Sequence, residues 1–287
     1  VIRETLPVES SGELGTGLSL RGAALAEVTR ALFQENHAVG IQIFGIGTTA
    51  LLADVIVRDT QPDSVGAGGI GLALSRGASA DIDRAIFEGN RYAGLIAIGG
   101  GTFLDMEDVL VSETQSQHTD GTYGRGLDVE QGARADVKRS MLMRNRDLGV
   151  AAFGPGTSVT MADVLVRETL ERECATDACR RFGAGTGVGS YDGAQVDMAR
   201  FFISYNALCG IQVAPGTDED GAPSLECGTM DLHHGEVAWN AVCGANVQCA
   251  GFAIDRLLDD VLFHDNNSTN LDTGDLPVPE PGWPGVP

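Results

Sequence analysis

The chain has 287 residues, 43% of them hydrophobic, and a formal net charge of −21. That is enough apolar side chain for a large folded core and lies outside the composition of disordered chains. The 19 basic residues face 40 acidic ones, which argues against nucleic acid, whose binding rests on clustered Lys and Arg, and against polyanionic glycans unless a cation bridges them.

The chain opens on VIRET at 1–5, and the same word returns as VIVRDT at 55–60, VLVSET at 109–114 and VLVRET at 164–169. Between these lie words of a second kind, each with an Asn followed four residues later by Gly: ALFQENHAVGI, IFEGNRYAGL, LMRNRDLGV, ISYNALCGI and VAWNAVCGA. Aligned on that Asn, the register runs Thr5, Asn36, Thr60, Asn90, Thr114, Asn145, Thr169, Asn206, Asn240 and Asn266. The shortest interval is 24 residues, and coils that end in Thr carry extra loops at 61–69, 115–124 and 170–186, with 7–15 at the start. A period on this scale means a solenoid of stacked units. A chain that begins inside such a word is expected to have been cut within a longer helix or just after its cap.

Each unit is made of short alternating apolar words broken by GxG or GT every five to eight residues, as in strands, and none holds a capped amphipathic helix. A leucine-rich repeat is the rival, but Leu does not dominate the inward positions. The Asn residues are expected to sit at tight corners in the left-handed region, where Asn is tolerated. Six residues earlier runs a column of alternating charge, Arg30, Asp54, Arg84, Asp108, Arg139, Asp163, Arg200, His234 and Asp260, expected to form a structural ladder of surface ion pairs. His233 and His234 are adjacent in one strand, so they are expected to point to opposite faces and to make no metal site.

This pattern resembles the right-handed parallel β-helix repeat of the pectin-lyase-like superfamily, across roughly residues 1–270. The resemblance implies an all-β fold of about nine or ten coils spaced ~4.8 Å apart. Residues 271–287 hold five of the ten prolines and read as an extended linker or terminal strap. The register of such a helix would pair Cys209 with Cys243, Cys227 with Cys249, and Cys174 with Cys179. Three bridges would place the protein outside the cytosol, in the extracellular space or at a cell surface.

No nucleophile elbow, P-loop or zinc spacing is present. No cofactor is expected; the acidic stretch TDEDG at 217–221 is the one place where calcium would fit, without EF-hand spacing. The long loops leave the same edge, and loops on a rigid scaffold are where binding usually resides. Asp120, Tyr123 and Asp177 in these loops are therefore the candidate ligand-binding residues, an aromatic ring for a sugar and carboxylates for its hydroxyls. The leading reading is a non-enzymatic extracellular or cell-surface module, structural or binding a polysaccharide or cell-surface glycan. A polysaccharide lyase or glycoside hydrolase is the alternative that the superfamily implies, though no outward pair of carboxylates is evident. No run is long enough for a membrane span, and nothing in the sequence sets an oligomeric state.

Overall fold

The structure is a computed structural model that describes residues 1–11, 14–174, 185–217 and 223–282. Two parallel sheets each run through ten coils in chain order, so the chain winds as a right-handed parallel β-helix. Long strands such as Thr49–Arg58, Ser79–Glu88 and Phe103–Ser112 build one sheet, and short ones such as Ile70–Ser75, Ala93–Ile98 and Arg125–Glu130 build the other. Each residue pairs in register with its counterpart one coil on, as Ile56 does with Ile86 and Ile86 with Leu110.

The long strands are bent. Their sixth residue, the one in the charged column, has φ between 44° and 58° in every coil from Arg30 to Asp260, a conformation that ordinary residues avoid. This residue drops out of the pairing and shifts the alternation by one. In Thr49–Arg58 the inward side chains are Ala50, Leu52, Val55 and Val57, while Asp54 points out. The bend corrects the expectation for the two histidines. His234 is the left-handed residue, so both rings face outward, His233 Nδ1 on Asp259 at 2.7 Å and His234 Nδ1 on Asp260 at 2.9 Å. The charged column forms as ion pairs, Arg84 with Asp54, Arg139 with Asp108, Arg200 with Asp163 and His234 with Asp260. The charge of Arg84 also acts on Asp108 of the next pair, and that of Arg139 on Asp163.

The corner column needs correcting too. The left-handed residue is the one before the Asn: Glu35, Gly89, Arg144, Tyr205 and Trp239 have φ of 53–62°. The Asn contributes its side chain instead. Asn90 is fully buried; its Oδ1 accepts from the Thr60 amide at 3.2 Å and from Thr60 Oγ1 at 2.7 Å, and its Nδ2 donates to the Val57 carbonyl at 3.1 Å. The backbone bonds recur at Asn145, which accepts from the Thr114 amide and donates to the Val111 carbonyl, while Asn206 accepts from the Thr169 amide and donates to Asn240 Oδ1. Each Asn thus satisfies polar backbone of the coil before it, which is why Thr is enough at the position it serves.

Gly94, four residues after Asn90, faces the next coil so closely that a Cβ would lie 2.4 Å from Val111 Cγ1 and 2.7 Å from the Gly126 carbonyl oxygen. Inside, one apolar column runs from Val57 through Phe87, Val111, Leu142, Val166 and Ile203 to Val237. The bridges Cys209–Cys243 and Cys227–Cys249 form as the register requires, with Cα atoms 4.5 and 5.9 Å apart. Cys179 and the stretch 218–221 of the expected calcium loop lie outside the described residues.

Candidate functional site

Both faces of the short-strand sheet are buried, so something covers its outer face. Part of the cover is the loop edge: the loop at 115–124 packs Thr119 against Gly66 and Gly121 against Glu173, and the Glu173 amide donates to Ser116 Oγ at 3.0 Å. The rest is the chain's own tail.

Beneath this cover the strand Arg125–Glu130 places three charged side chains outward. Their neighbours in register are Ala93, Ile96 and Ile98 on one side, and Ala151 and Phe153 opposite Asp128 and Glu130 on the other. Arg125 is completely buried. Its Nη1 donates to Asp128 at 2.8 Å and lies 3.4 Å from Glu130, and its Nε donates to Asp147 at 3.0 Å. The guanidinium lies between the rings of Tyr123 and Phe153, at 4.9 and 4.8 Å. Asp147, a left-handed residue at the entry to the next strand, also accepts two bonds from Arg172 at 2.7 and 3.0 Å. Tyr92 and Tyr123 pack with ring centres 4.6 Å apart, and Phe153 stacks on Tyr191, whose hydroxyl donates to Gln212 at 2.8 Å.

Two guanidinium groups therefore meet three carboxyl groups in a dry site. Burial raises the Glu130 carboxyl well above the ordinary range, and the charge of Asp128 adds to it. Burial raises Asp128 as well, against the pull of Arg125. Burial works against the charge on Arg125, yet Asp128, Asp147 and Glu130 together keep it charged. Two guanidinium groups against three carboxylates leave one negative charge, and the raised carboxyls of Asp128 and Glu130 are where a proton would neutralise it. Burial also lifts Tyr123 to about 12. No group of three His, Cys, Asp or Glu placed to hold a metal is found among the described residues.

Of the residues singled out from the sequence, Tyr123 lies at the centre of this site. Asp120 sits on the rim, exposed, with its Oδ1 taken by the Thr122 amide and hydroxyl at 2.9 and 2.6 Å. Asp177 lies outside the described residues. Arg125 closes the loop SQHTDGTYGRG that also supplies Asp120 and Tyr123, and it belongs to the site; Asp128, Glu130 and Asp147 were not singled out, although RGLDVE carries charge where the coils on either side carry AGLIAI and LGVAAF.

A second concavity follows the bend of the long-strand sheet, a groove of about 750 Å³ with Leu110, Met141, Leu165 and Phe202 along its floor. Its charges are already paired within the column, so it presents no uncompensated group.

No protein-family model matches the chain, and no curated protein matches it. Among solved structures it superimposes on pectate lyase Pel9A with a TM-score of 0.55 and 15% identity, over 81% of this chain and 55% of that one. The two share the parallel β-helix architecture. A likeness at this identity carries the architecture alone, and the chain spans about half the length of that lyase. The covered outer face of the short-strand sheet, flanked by the long loops, is the candidate site, and the space over it that the tail fills is its cleft.

Proposed function

We propose that this protein is an extracellular or cell-surface β-helix module that binds a neutral polysaccharide in the cleft over the short-strand sheet. The observation that carries the reading is the row of hydrogen-bond donors along the cleft, Asn246, Gln248, Gln212, Arg125 and Tyr123. They already bind the carbonyl oxygens of one extended chain. Sugar hydroxyl and ring oxygens accept the same bonds, the Tyr123 ring offers a stacking surface, and Asp120 supplies a carboxylate at the rim. The charge balance favours a neutral glycan, since both guanidinium groups are matched by carboxylates and none is left for a uronate. The bridges at Cys209–Cys243 and Cys227–Cys249 support a location outside the cytosol.

Glycoside hydrolysis is the second reading, favoured by the Asp128–Glu130 pair. Such chemistry needs one protonated and one ionised carboxyl group on either side of the bond, about 5–9.5 Å apart, and burial favours the protonated form at Glu130. The test is a panel of neutral and uronate polysaccharides, read for binding, for new reducing ends and for unsaturated ends. Binding to a neutral polymer, weakened about fivefold or more by Tyr123→Ala through loss of about 1 kcal/mol of aromatic contact, supports the module. Reducing ends that vanish in Glu130→Gln would make it a hydrolase. Unsaturated ends from a uronate polymer would contradict both readings.

A further inference from the structure

The last described segment, 273–282, leaves the last rung of the short-strand sheet, Thr269–Asp272, and turns back across the cleft. Its carbonyl oxygens accept from one coil after another. Asn246 Nδ2 reaches Gly274 at 3.0 Å, Gln248 Nε2 reaches Leu276 at 2.7 Å, and Gln212 Nε2 reaches Pro277 at 3.1 Å. Farther on, Tyr123 donates to the Pro281 carbonyl at 3.3 Å and Arg125 to that of Glu280. Val278 packs on the apolar group of Leu148, Ala151, Phe153, Tyr191 and Ala214. The Gly282 amide donates to Glu130 Oε1.

The chemistry of the segment is that of an occupant rather than an eleventh strand. Pro277, Pro279 and Pro281 lack the amide hydrogen that a sheet edge would need and hold the chain extended. What remains is a line of acceptors with few donors, the pattern a glycan also offers. The segment touches Arg125 and Glu130 directly and takes the space over the Asp128–Glu130 pair, where a Cβ on Gly282 would lie 2.8 Å from either carboxylate.

We infer that residues 273–282 are a built-in occupant of the cleft, which has to leave before a glycan chain can enter, so the protein's own tail regulates the site. The inference rests on the reading of the cleft as the glycan site. Release needs no unfolding of a coil, because the segment is held by side chains on its carbonyls, by one amide on Glu130, and by Val278 on an apolar patch beside the buried Pro279.

The experiment compares the full chain with Val278→Asp, which puts a charge on that patch, and uses Val278→Ile as the control. Carbodiimide labelling of Asp128 and Glu130, read by peptide mass spectrometry, reports access to the pair without any glycan. Labelling is expected to be at least tenfold faster in Val278→Asp, and a synthetic peptide of residues 273–282 should slow it again. Affinity for the neutral polysaccharide should rise by a similar factor. Should Val278→Asp not fold, Gln248→Ala removes the donor to Leu276 and Asn246 and should speed the labelling by a smaller factor; labelling is its only readout, because Gln248 is itself one of the glycan donors. Equal labelling in the full chain and the variants overturns the inference. Faster labelling with unchanged glycan affinity overturns the gating. Faster labelling with no glycan bound by any form defeats the glycan reading instead and leaves the tail a removable cover.

Discussion

Asn90 shows how much a single side chain supports in this architecture. Replacing it with Ala leaves the Thr60 amide and the Val57 carbonyl buried without their partner, and an orphaned buried group costs about 1–3 kcal/mol. Asn90→Ala is therefore expected to lose roughly 2–4 kcal/mol in chemical denaturation, whereas Glu35→Gly, at a left-handed position that Gly adopts without strain, should be close to neutral. Glu130 has the opposite character, since its burial works against folding once the proton is gone. An unfolded Glu releases its proton near pH 4.3 or so, while the folded carboxyl keeps it to higher pH. Between those two values the folded state holds more protons, so stability falls as pH rises through the window. Glu130→Gln, which cannot ionise, should show a shallower decline there, and parallel urea midpoints for the two proteins would contradict a proton held at Glu130.

Among the elements, the strand Asp259–His264 and its neighbour Thr229–Ala238 carry the histidines that form ion pairs among the described residues. The bond to Asp259 raises His233, and bonds to Asp265 and Glu236 raise His264. Stability from a raised His is complete below the unfolded value near 6.5 or so and is lost as pH rises through the folded one. Hydrogen exchange in the last two coils, corrected for its intrinsic rate, should quicken across that window while the middle coils stay unchanged. The elements themselves were readable from the sequence, because stacking forces equivalent residues into columns: Asn36, Asn90 and Asn145 mark the corner, and Cys209 and Cys243 meet because they share a register. Which residue of the corner turns left-handed was not readable, since Glu35, Gly89 and Arg144 have no side chain type in common. Nor was the direction of His233, because alternation holds only until a left-handed residue resets it. The cleft was half readable. Tyr123 follows from the loop period. Arg125 follows from the same loop, whereas Asp128 and Glu130 emerge only when each strand is compared with its neighbours, and the burial of all three depends on a tail about 150 residues away in sequence.

For the molecule as a whole, the two described bridges fasten coils that the helix has already brought together. Reduction is expected to cost about 2–4 kcal/mol per bridge and to loosen the last three coils first, which calorimetry with and without reductant would register as a lower and broader transition. The last coils also anchor the tail, through Asn246 and Gln248, so reduction should release the cleft before it melts the middle of the solenoid. The most direct measurement of the central claim is hydrogen exchange by mass spectrometry with and without a saturating neutral oligosaccharide. The account predicts slower exchange in Ala93–Ile98, Arg125–Glu130 and Leu148–Phe153, together with faster exchange in 273–282. Protection along the bend of the long-strand sheet, at Asp108, Arg139 and Arg200, with the tail unchanged, would contradict it and move the binding site to the other face.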